Sequence, residues 1–368
     1  MEPATLGSTI STVSGLDLFN SIRWDTSQPD TLVDGLDALL HGSATPLRRG
    51  DIIEVQGVTA SGKTQLLVRI AVNALLPRRA HVRLERDVVQ IVVGGKEEQV
   101  VWIDCTAREF DIDRIVRILR AHFVSVINQY RRPKGIGPPT DQELDSLVEE
   151  CMTRFYVFSP TSTLQLASTI QTLPEWHVST GGDELAYILI DGMTEFAWLD
   201  QYDREVERNT KKTLQTVPPL RLFSAALARL RHVLAPLVFI TQWVLRPSQP
   251  VATPSQQNLP FYRHHFTPPL YPSLTSTVPL EPDNPLAPIY YPSSSSAVFP
   301  INFHLTLHPA PKPVFRKGIS LGMVLKEGVR TDRAKERQTE GIVCVLREAG
   351  GNEVGSWEMT ITATDIIA

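Results

Sequence analysis

The stretch that decides the fold is residues 52–64, IIEVQGVTASGKT, in which a short apolar run leads directly into a loop bounded by glycines. Residues 52–56 are rich in β-branched side chains, as expected of a buried strand. The eight residues that follow match the phosphate-binding pattern G-x-x-x-x-G-K-[ST]. They are Gly57, Val58, Thr59, Ala60, Ser61, Gly62, Lys63 and Thr64. The stretch predicts a strand, a phosphate-binding loop and a helix, in that order.

The chemistry of this loop follows from its residue types. Glycine at each end lets the backbone curl so that successive N–H groups point inward, and the following helix adds its positive N-terminal end. We expect Lys63 to reach the β and γ phosphates of ATP, and the Thr64 hydroxyl to bind Mg²⁺. The alternative is a glycine loop that only turns a strand into a helix.

Short apolar runs continue downstream at residues 100–104, 155–158, 185–191 and 237–242, and amphipathic segments separate them. This alternation is typical of a mainly parallel sheet with crossover helices. The sequence therefore predicts an α/β fold, a P-loop NTPase core with a central sheet flanked by helices.

Two further groups of strands are expected. Residues 88–93, the pair Gly94 and Gly95, and residue 99 onward are interpreted as a hairpin inserted before the second core strand. Residues 303–307, 322–326, 341–347 and 357–364 are interpreted as antiparallel strands at the C-terminal end.

Composition limits the remaining possibilities. The 368 residues include 42% hydrophobic ones and carry a formal charge of -4, which argues against a wholly disordered chain and against indiscriminate binding to DNA or an anionic membrane. No run of 18 apolar residues occurs, so we expect no membrane association. Of 28 prolines, 16 lie between Pro247 and Pro313. We expect a tail at 1–34, an ATP-binding core at 35–245, a disordered Pro/Ser-rich insertion at 246–300, and C-terminal strands completing the core at 301–368.

A nucleotide site of this kind needs an acid on a neighbouring strand to hold Mg²⁺ through water. Asp191 ends the fourth core strand and is the candidate, with a turn cap as its alternative role. Asp104 ends the second core strand at the same edge, where it either faces the site or turns away. The group that orients the attacking water is unknown. The candidates are Glu109, five residues after Asp104, and Gln242. Together with Thr241, Gln242 is placed to sense the γ-phosphate at the end of the fifth strand, with core packing of a strand end as the alternative role of this pair.

The order of these parts resembles the RecA-like recombinase family, and more narrowly its eukaryotic DNA-repair paralogues. The resemblance covers about residues 35–245. It is carried by residues 50–56 before the loop, 102–104 with 110–112, 154–157, and 189–192 followed by the sequence FAWLD at 196–200.

This resemblance implies an ATP-binding accessory subunit in homologous-recombination repair of double-strand breaks and stalled replication forks. It further implies a nuclear protein in a hetero-oligomer with RecA-like paralogues, most of all the D-type paralogue, that reaches DNA through the complex. Active recombinases of the family place a glutamate two residues after the aspartate of the second strand, where this chain has Thr106. We therefore expect ATP hydrolysis to be weak or absent in the isolated chain.

Two other functions stay open. The chain could be a DNA-dependent ATPase in its own right, in which Glu109 or a group donated by a partner orients water. A P-loop small-molecule kinase would need a lid of closely spaced arginines, and the sequence offers no clear one.

Three segments are candidates for direct contact with DNA. Residues 191–212 hold four Lys or Arg against six acids, a poor track for phosphates. The sequence FYRHHF at 261–266 either stacks on single-stranded bases or is an adhesive part of the insertion. Residues 312–337 hold eight Lys or Arg against three acids and are either a solvated hairpin or a phosphate contact. Phe223 to Ala226 matches the Phe-x-x-Ala pattern by which recombinases bind their neighbours, but its place in an amphipathic helix favours core packing.

Overall fold

The computed structural model describes residues 15, 29–84, 87–106, 110–134, 137–181, 184–209, 219–243, 301–309, 320, 322–323, 341–348, 352–362 and 366–367. Glu109, the insertion at 246–300 with its FYRHHF sequence, and most of the basic segment at 312–337 lie outside these residues.

The described chain alternates strands and helices as far as the fifth core strand. The helices are α1 Asp34–Gly42, α2 Lys63–Leu75, α3 Ile112–Arg131, α4 Asp141–Met152, α5 Thr163–Ser179, α6 Ala197–Asn209 and α7 Pro219–Val233, with short 3-10 helices at Arg132–Lys134 and Met193–Phe196. The strands are β1 Ile52–Gly57, β2 Arg79–Leu84, β3 Asp87–Val92, β4 Gln99–Asp104, β5 Phe155–Phe158, β6 Leu185–Asp191, β7 Leu237–Trp243, β8 Phe303–His308, β9 Ile342–Glu348, β10 Glu353–Ile361 and β11 Ile366–Ile367.

Nine of these strands form one sheet in the order β11-β10-β9-β8-β1-β7-β6-β4-β5. Strands β8, β1, β7, β6, β4 and β5 are parallel, and β9, β10 and β11 extend the sheet in antiparallel pairs. The expected α/β fold, with a mainly parallel sheet and C-terminal antiparallel strands, is confirmed.

Helices cover both faces of this sheet. The residues of β1 and β6 are therefore buried throughout, and their apolar side chains alternate between the two faces. One apolar cluster joins α1, α2, α3 and α4 to side chains such as Val55 and Trp102. The other joins α5 and α7 to side chains such as Ile52 and Ile188. Phe223 is fully buried in the second cluster, so its Phe-x-x-Ala sequence serves core packing.

The expected hairpin forms with a different partner. Strand β3 pairs with the preceding β2, whereas β4 joins the central sheet beside β5 and β6. Gly94 and Gly95 make no hairpin turn. A Cβ on Gly95 would overlap the Leu76 carbonyl, so the connector packs tightly against the end of α2, where the Glu97 N–H donates to the same carbonyl at 2.9 Å.

The C-terminal strands differ in detail from the expectation. Residues 303–307, expected to be antiparallel, form β8, which pairs parallel with β1 and antiparallel with β9. Strand β10 begins at Glu353, four residues before the expected start at Trp357. The proposed strand at 322–326 is wrong for its two described residues, Gly322 and Met323, which are helical, and the Met323 N–H donates to the Ser320 carbonyl at 2.9 Å.

Candidate nucleotide-binding site

The phosphate-binding loop connects the end of β1 to the start of α2, as the sequence predicts. Strand β1 lies between β7 and β8, both parallel to it, so the loop leaves the carboxyl edge of the sheet. Ala60 and Gly62 adopt left-handed conformations with φ of 60° and 89°. These turns curl the backbone so that α2 begins directly at Lys63.

Lys63 is the cation of this loop. Its buried ammonium donates to the carbonyl oxygens of Gly57 at 2.8 Å and Val58 at 2.9 Å. Burial lowers the pKa of Lys63 to about 8, although the Asp191 carboxylate opposes the shift. A bound phosphate would offer the ammonium an anionic partner in place of two neutral carbonyls.

Asp191 joins the loop to two neighbouring strands. The Thr64 hydroxyl donates to its Oδ2 at 2.8 Å, and the Thr241 hydroxyl donates to its Oδ1 at 2.6 Å. Burial raises the pKa of Asp191, and these two hydrogen bonds oppose the shift. The structure thus brings Thr64 and Asp191 together and adds Thr241, which in turn accepts from the Gly192 N–H at 2.7 Å.

These residues fit Mg²⁺ and ATP. A Cβ on Gly57 would overlap the Ser61 hydroxyl, so the loop closes only with glycine at this end. The Thr64 hydroxyl and the Asp191 carboxylate offer oxygen atoms of the kind that Mg²⁺ prefers. The hydroxyl would bind the ion directly, and the carboxylate would hold it through water. Bound Mg²⁺ would neutralise phosphate charge, while Lys63 and the loop N–H groups would hold the phosphate oxygens.

Asp104 stands beside Asp191 in register on the adjacent strand β4. Its Oδ1 accepts from the N–H of Thr106 at 2.9 Å and from its hydroxyl at 2.7 Å. The methyl group of Thr106 packs against Gly192, whose φ is 77° and where a Cβ would lie 2.7 Å from that methyl. The position of the family's glutamate therefore holds a neutral side chain that is bonded to Asp104.

A second carboxylate near this position escaped the sequence analysis. Glu195 lies in the 3-10 helix that follows β6, and a Cβ placed on Gly192 would lie 3.6 Å from the Cγ of Glu195. Its side chain is partly exposed and has no hydrogen bond or ion pair within the described part of the chain. The family pattern places the glutamate after β4, whereas the parallel register of β4 and β6 brings the residues that follow β6 to the same edge of the sheet.

Gln242 follows Thr241 on β7 and so points to the opposite face of the sheet. It is buried in register with Gln56, and neither polar atom of its amide group has a hydrogen-bond partner among the residues that the structure describes. Its proposed part in catalysis stays a prediction, as does that of Glu109, which lies outside the described residues.

The C-terminal strands contact the phosphate-binding loop from the side of Gly62. A Cβ on this glycine would lie 2.8 Å from the Cδ1 atoms of both Ile342 and Ile361 and 3.3 Å from the Cε of Met359. Strands β9 and β10 therefore support the loop although they are nearly 300 residues away in sequence.

Two relatives have similar sequences. The chain is 24% identical over 215 residues to the DNA repair protein XRCC2 homolog of Arabidopsis thaliana, covering 54% of this chain and 55% of the relative. It is 25% identical over 152 residues to the DNA repair protein XRCC2 of Mus musculus, covering 41% and 43%. No protein-family model matches the chain.

The chain thus spans about half the length of the curated relatives that it matches. Within the described residues, no helix is both long and apolar enough to cross a membrane. Over this shared half, the chain is a distant homologue of the RecA-like DNA repair paralogues named XRCC2.

Proposed function

We propose that this chain is an ATP-binding recombinase paralogue that acts in the nucleus in homologous-recombination repair. It works as an accessory subunit of a hetero-oligomer with other RecA-like paralogues, the D-type paralogue first among them. The chain acts on DNA through that complex. The similarity to proteins named for DNA repair supports the role in repair.

The hydrogen bond from Thr64 to Asp191 carries the proposal of ATP binding. A glycine loop that only turned a strand into a helix would need no acid from another strand. Here the hydroxyl and the carboxylate meet at the mouth of the loop, where the Mg²⁺ of a nucleotide is held in P-loop proteins.

Thr106 supports an accessory role rather than rapid turnover. Hydrolysis requires a group that orients water toward the γ-phosphate, and Thr106 has no carboxylate to do so. Its hydroxyl is already bonded to Asp104.

A second function, a slow ATPase active in its own right, is favoured by Glu195, the partly exposed carboxylate beside Thr106. In this function Glu195 accepts a proton from the water whose oxygen attacks the γ-phosphorus, and the bond to the β,γ-bridging oxygen breaks to give ADP and phosphate. Turnover should then fall in Glu195→Gln with nucleotide affinity retained, and should persist in Glu175→Gln, a change to an exposed glutamate on α5. Equal turnover in the two variants would remove Glu195 from this function.

The role in repair is tested in cells that lack this protein. They should be hypersensitive to ionising radiation and to DNA cross-linking agents, and the wild-type gene should restore resistance. The chain recovered from their nuclei should co-purify with the D-type paralogue. Normal resistance in the deleted cells would contradict the role in repair, and a chain that stayed monomeric beside every RecA-like paralogue would contradict the role as a subunit.

A further inference from the structure

Helix α6 exposes an apolar stripe to solvent. Trp198 is 60% exposed, Tyr202 63%, Leu199 50% and Val206 40%. Single exposed apolar side chains are common on protein surfaces, but four on one helix, two of them aromatic, form a patch. Aromatic side chains of this kind are enriched at the centres of protein interfaces.

The stripe is continuous, because at about 3.6 residues per turn its four residues fall within an arc of about 100°. Acidic residues border it on both sides, Glu205 along one edge and Asp203 along the other. Both of these side chains are exposed.

The opposite side of α6 faces the protein. Asp200 lies about half a turn from the centre of the stripe, and its Oδ2 accepts a hydrogen bond from the Thr163 hydroxyl at the start of α5 at 2.7 Å. Phe196, just before α6, is buried in the apolar cluster formed with α5 and α7. The helix is therefore fixed with its apolar face outward.

We propose that this stripe on α6 is a docking surface for a protein partner whose contact face is apolar with a rim of lysine or arginine. Apolar burial would supply the affinity, and the acidic borders would select the charge of the rim. This assigns a surface and a partner chemistry that the proposed function leaves open, and it does not depend on nucleotide binding.

Two other occupants fit the surface less well. Nucleic acid would bring phosphates against Asp203 and Glu205, in a segment where residues 191–212 carry six acids against four Lys or Arg. A second copy of this chain, bound stripe to stripe, would bring acidic borders together, and such like-charge contacts are unfavourable.

The test uses the full chain and a helical leucine/lysine peptide, with a leucine/glutamate peptide of the same spacing and an oligothymidine as competing probes. The lysine peptide should bind and shift tryptophan fluorescence to the blue as Trp198 leaves water. The affinity should fall at least about tenfold in Trp198→Ser/Tyr202→Ser. It should be unchanged in Leu164→Ser/Val178→Ser, a pair of exposed apolar residues on α5. In Asp203→Lys/Glu205→Lys the preference should reverse toward the glutamate peptide.

Three results would overturn the proposal. One is lysine-peptide binding that is equal in the two double-serine variants, or absent altogether. Another is oligothymidine binding that requires Trp198 and Tyr202. The third is self-association of the wild type, measured by sedimentation, that the Trp198→Ser/Tyr202→Ser variant loses. Circular dichroism of each variant establishes that α6 and the rest of the fold are intact.

Discussion

Lys63 holds the phosphate-binding loop closed through the carbonyls of Gly57 and Val58, and burial depresses its pKa to about 8. Phosphate binding favours the charged ammonium. With this pKa, Lys63 of the free chain is mostly neutral above pH 8, so the chain would have to take up a proton on binding a nucleotide. The ordinary lysine pKa of 10.5 would require almost no uptake at that pH.

The protonation of Lys63 gives the first prediction. At pH 8.5, binding of Mg·ATP should take up roughly 0.7 proton, and affinity should fall as pH rises from 7 to 9.5. Calorimetry in buffers of different ionisation enthalpy measures the uptake. In Lys63→Arg the guanidinium stays charged, so the uptake should vanish. Equal uptake in the wild type and this variant would show that another group titrates.

Thr106 gives the second prediction. Thr106→Glu restores a carboxylate where the active recombinases have one, and it should raise single-turnover ATP hydrolysis by at least about tenfold. Thr106→Gln has the same size without the charge and should leave hydrolysis at the wild-type level. A glutamate variant no faster than the glutamine variant would mean that Thr106 is not what limits hydrolysis.

At the scale of elements, the C-terminal strands contact the loop of the proposed nucleotide site. The left-handed Gly62 is in contact with three apolar side chains of these strands, Ile342, Met359 and Ile361. It directly precedes Lys63 and Thr64, which would hold phosphate and Mg²⁺. Packing of β9 and β10 and the shape of the loop are therefore coupled, and by linkage a bound nucleotide should stabilise these strands.

This coupling gives the third prediction. Met359→Ala removes a fully buried side chain, so it should lower the free energy of unfolding by about 2 to 5 kcal/mol and weaken nucleotide binding. Met323→Ala, at an exposed residue, should change the free energy by less than about 0.5 kcal/mol and leave binding intact. Denaturant titration and nucleotide titration check both effects. Unchanged nucleotide affinity in a destabilised Met359→Ala would separate the strands from the site.

The sequence predicted the elements whose signals are local. The strand, loop and helix around residues 52–64 and the acid that ends β6 were found because pattern and position determine them. The pairing of β2 with β3 was missed, because Gly94 and Gly95 suggest a turn whereas Gly95 serves a close approach to Leu76. The hydrogen bond from Thr241 to Asp191 and the contacts on Gly62 depend on sheet order, which local patterns do not contain.

At the scale of the whole molecule, the net charge and the exposed apolar face of α6 favour assembly with other proteins. A formal charge of -4 gives the chain no general attraction to DNA, and α6, which follows the carboxyl end of β6, adds an apolar face with acidic borders. Both features suit a subunit that partners recruit. The sheet links the two regions, because β6 carries Asp191 at its end and leads into α6 through the 3-10 helix.

The measurement that tests the central claim most directly is equilibrium binding of a fluorescent ATP analogue with Mg²⁺ to the full chain. The wild type should bind saturably, and Lys63→Ala and Thr64→Ala should each weaken binding at least about tenfold, since each removes a charged or metal-ligating contact. Thr172→Ala, which removes an exposed hydroxyl on α5, should bind as the wild type does. Binding that is absent in the wild type, or equal in all four proteins, would contradict the nucleotide site.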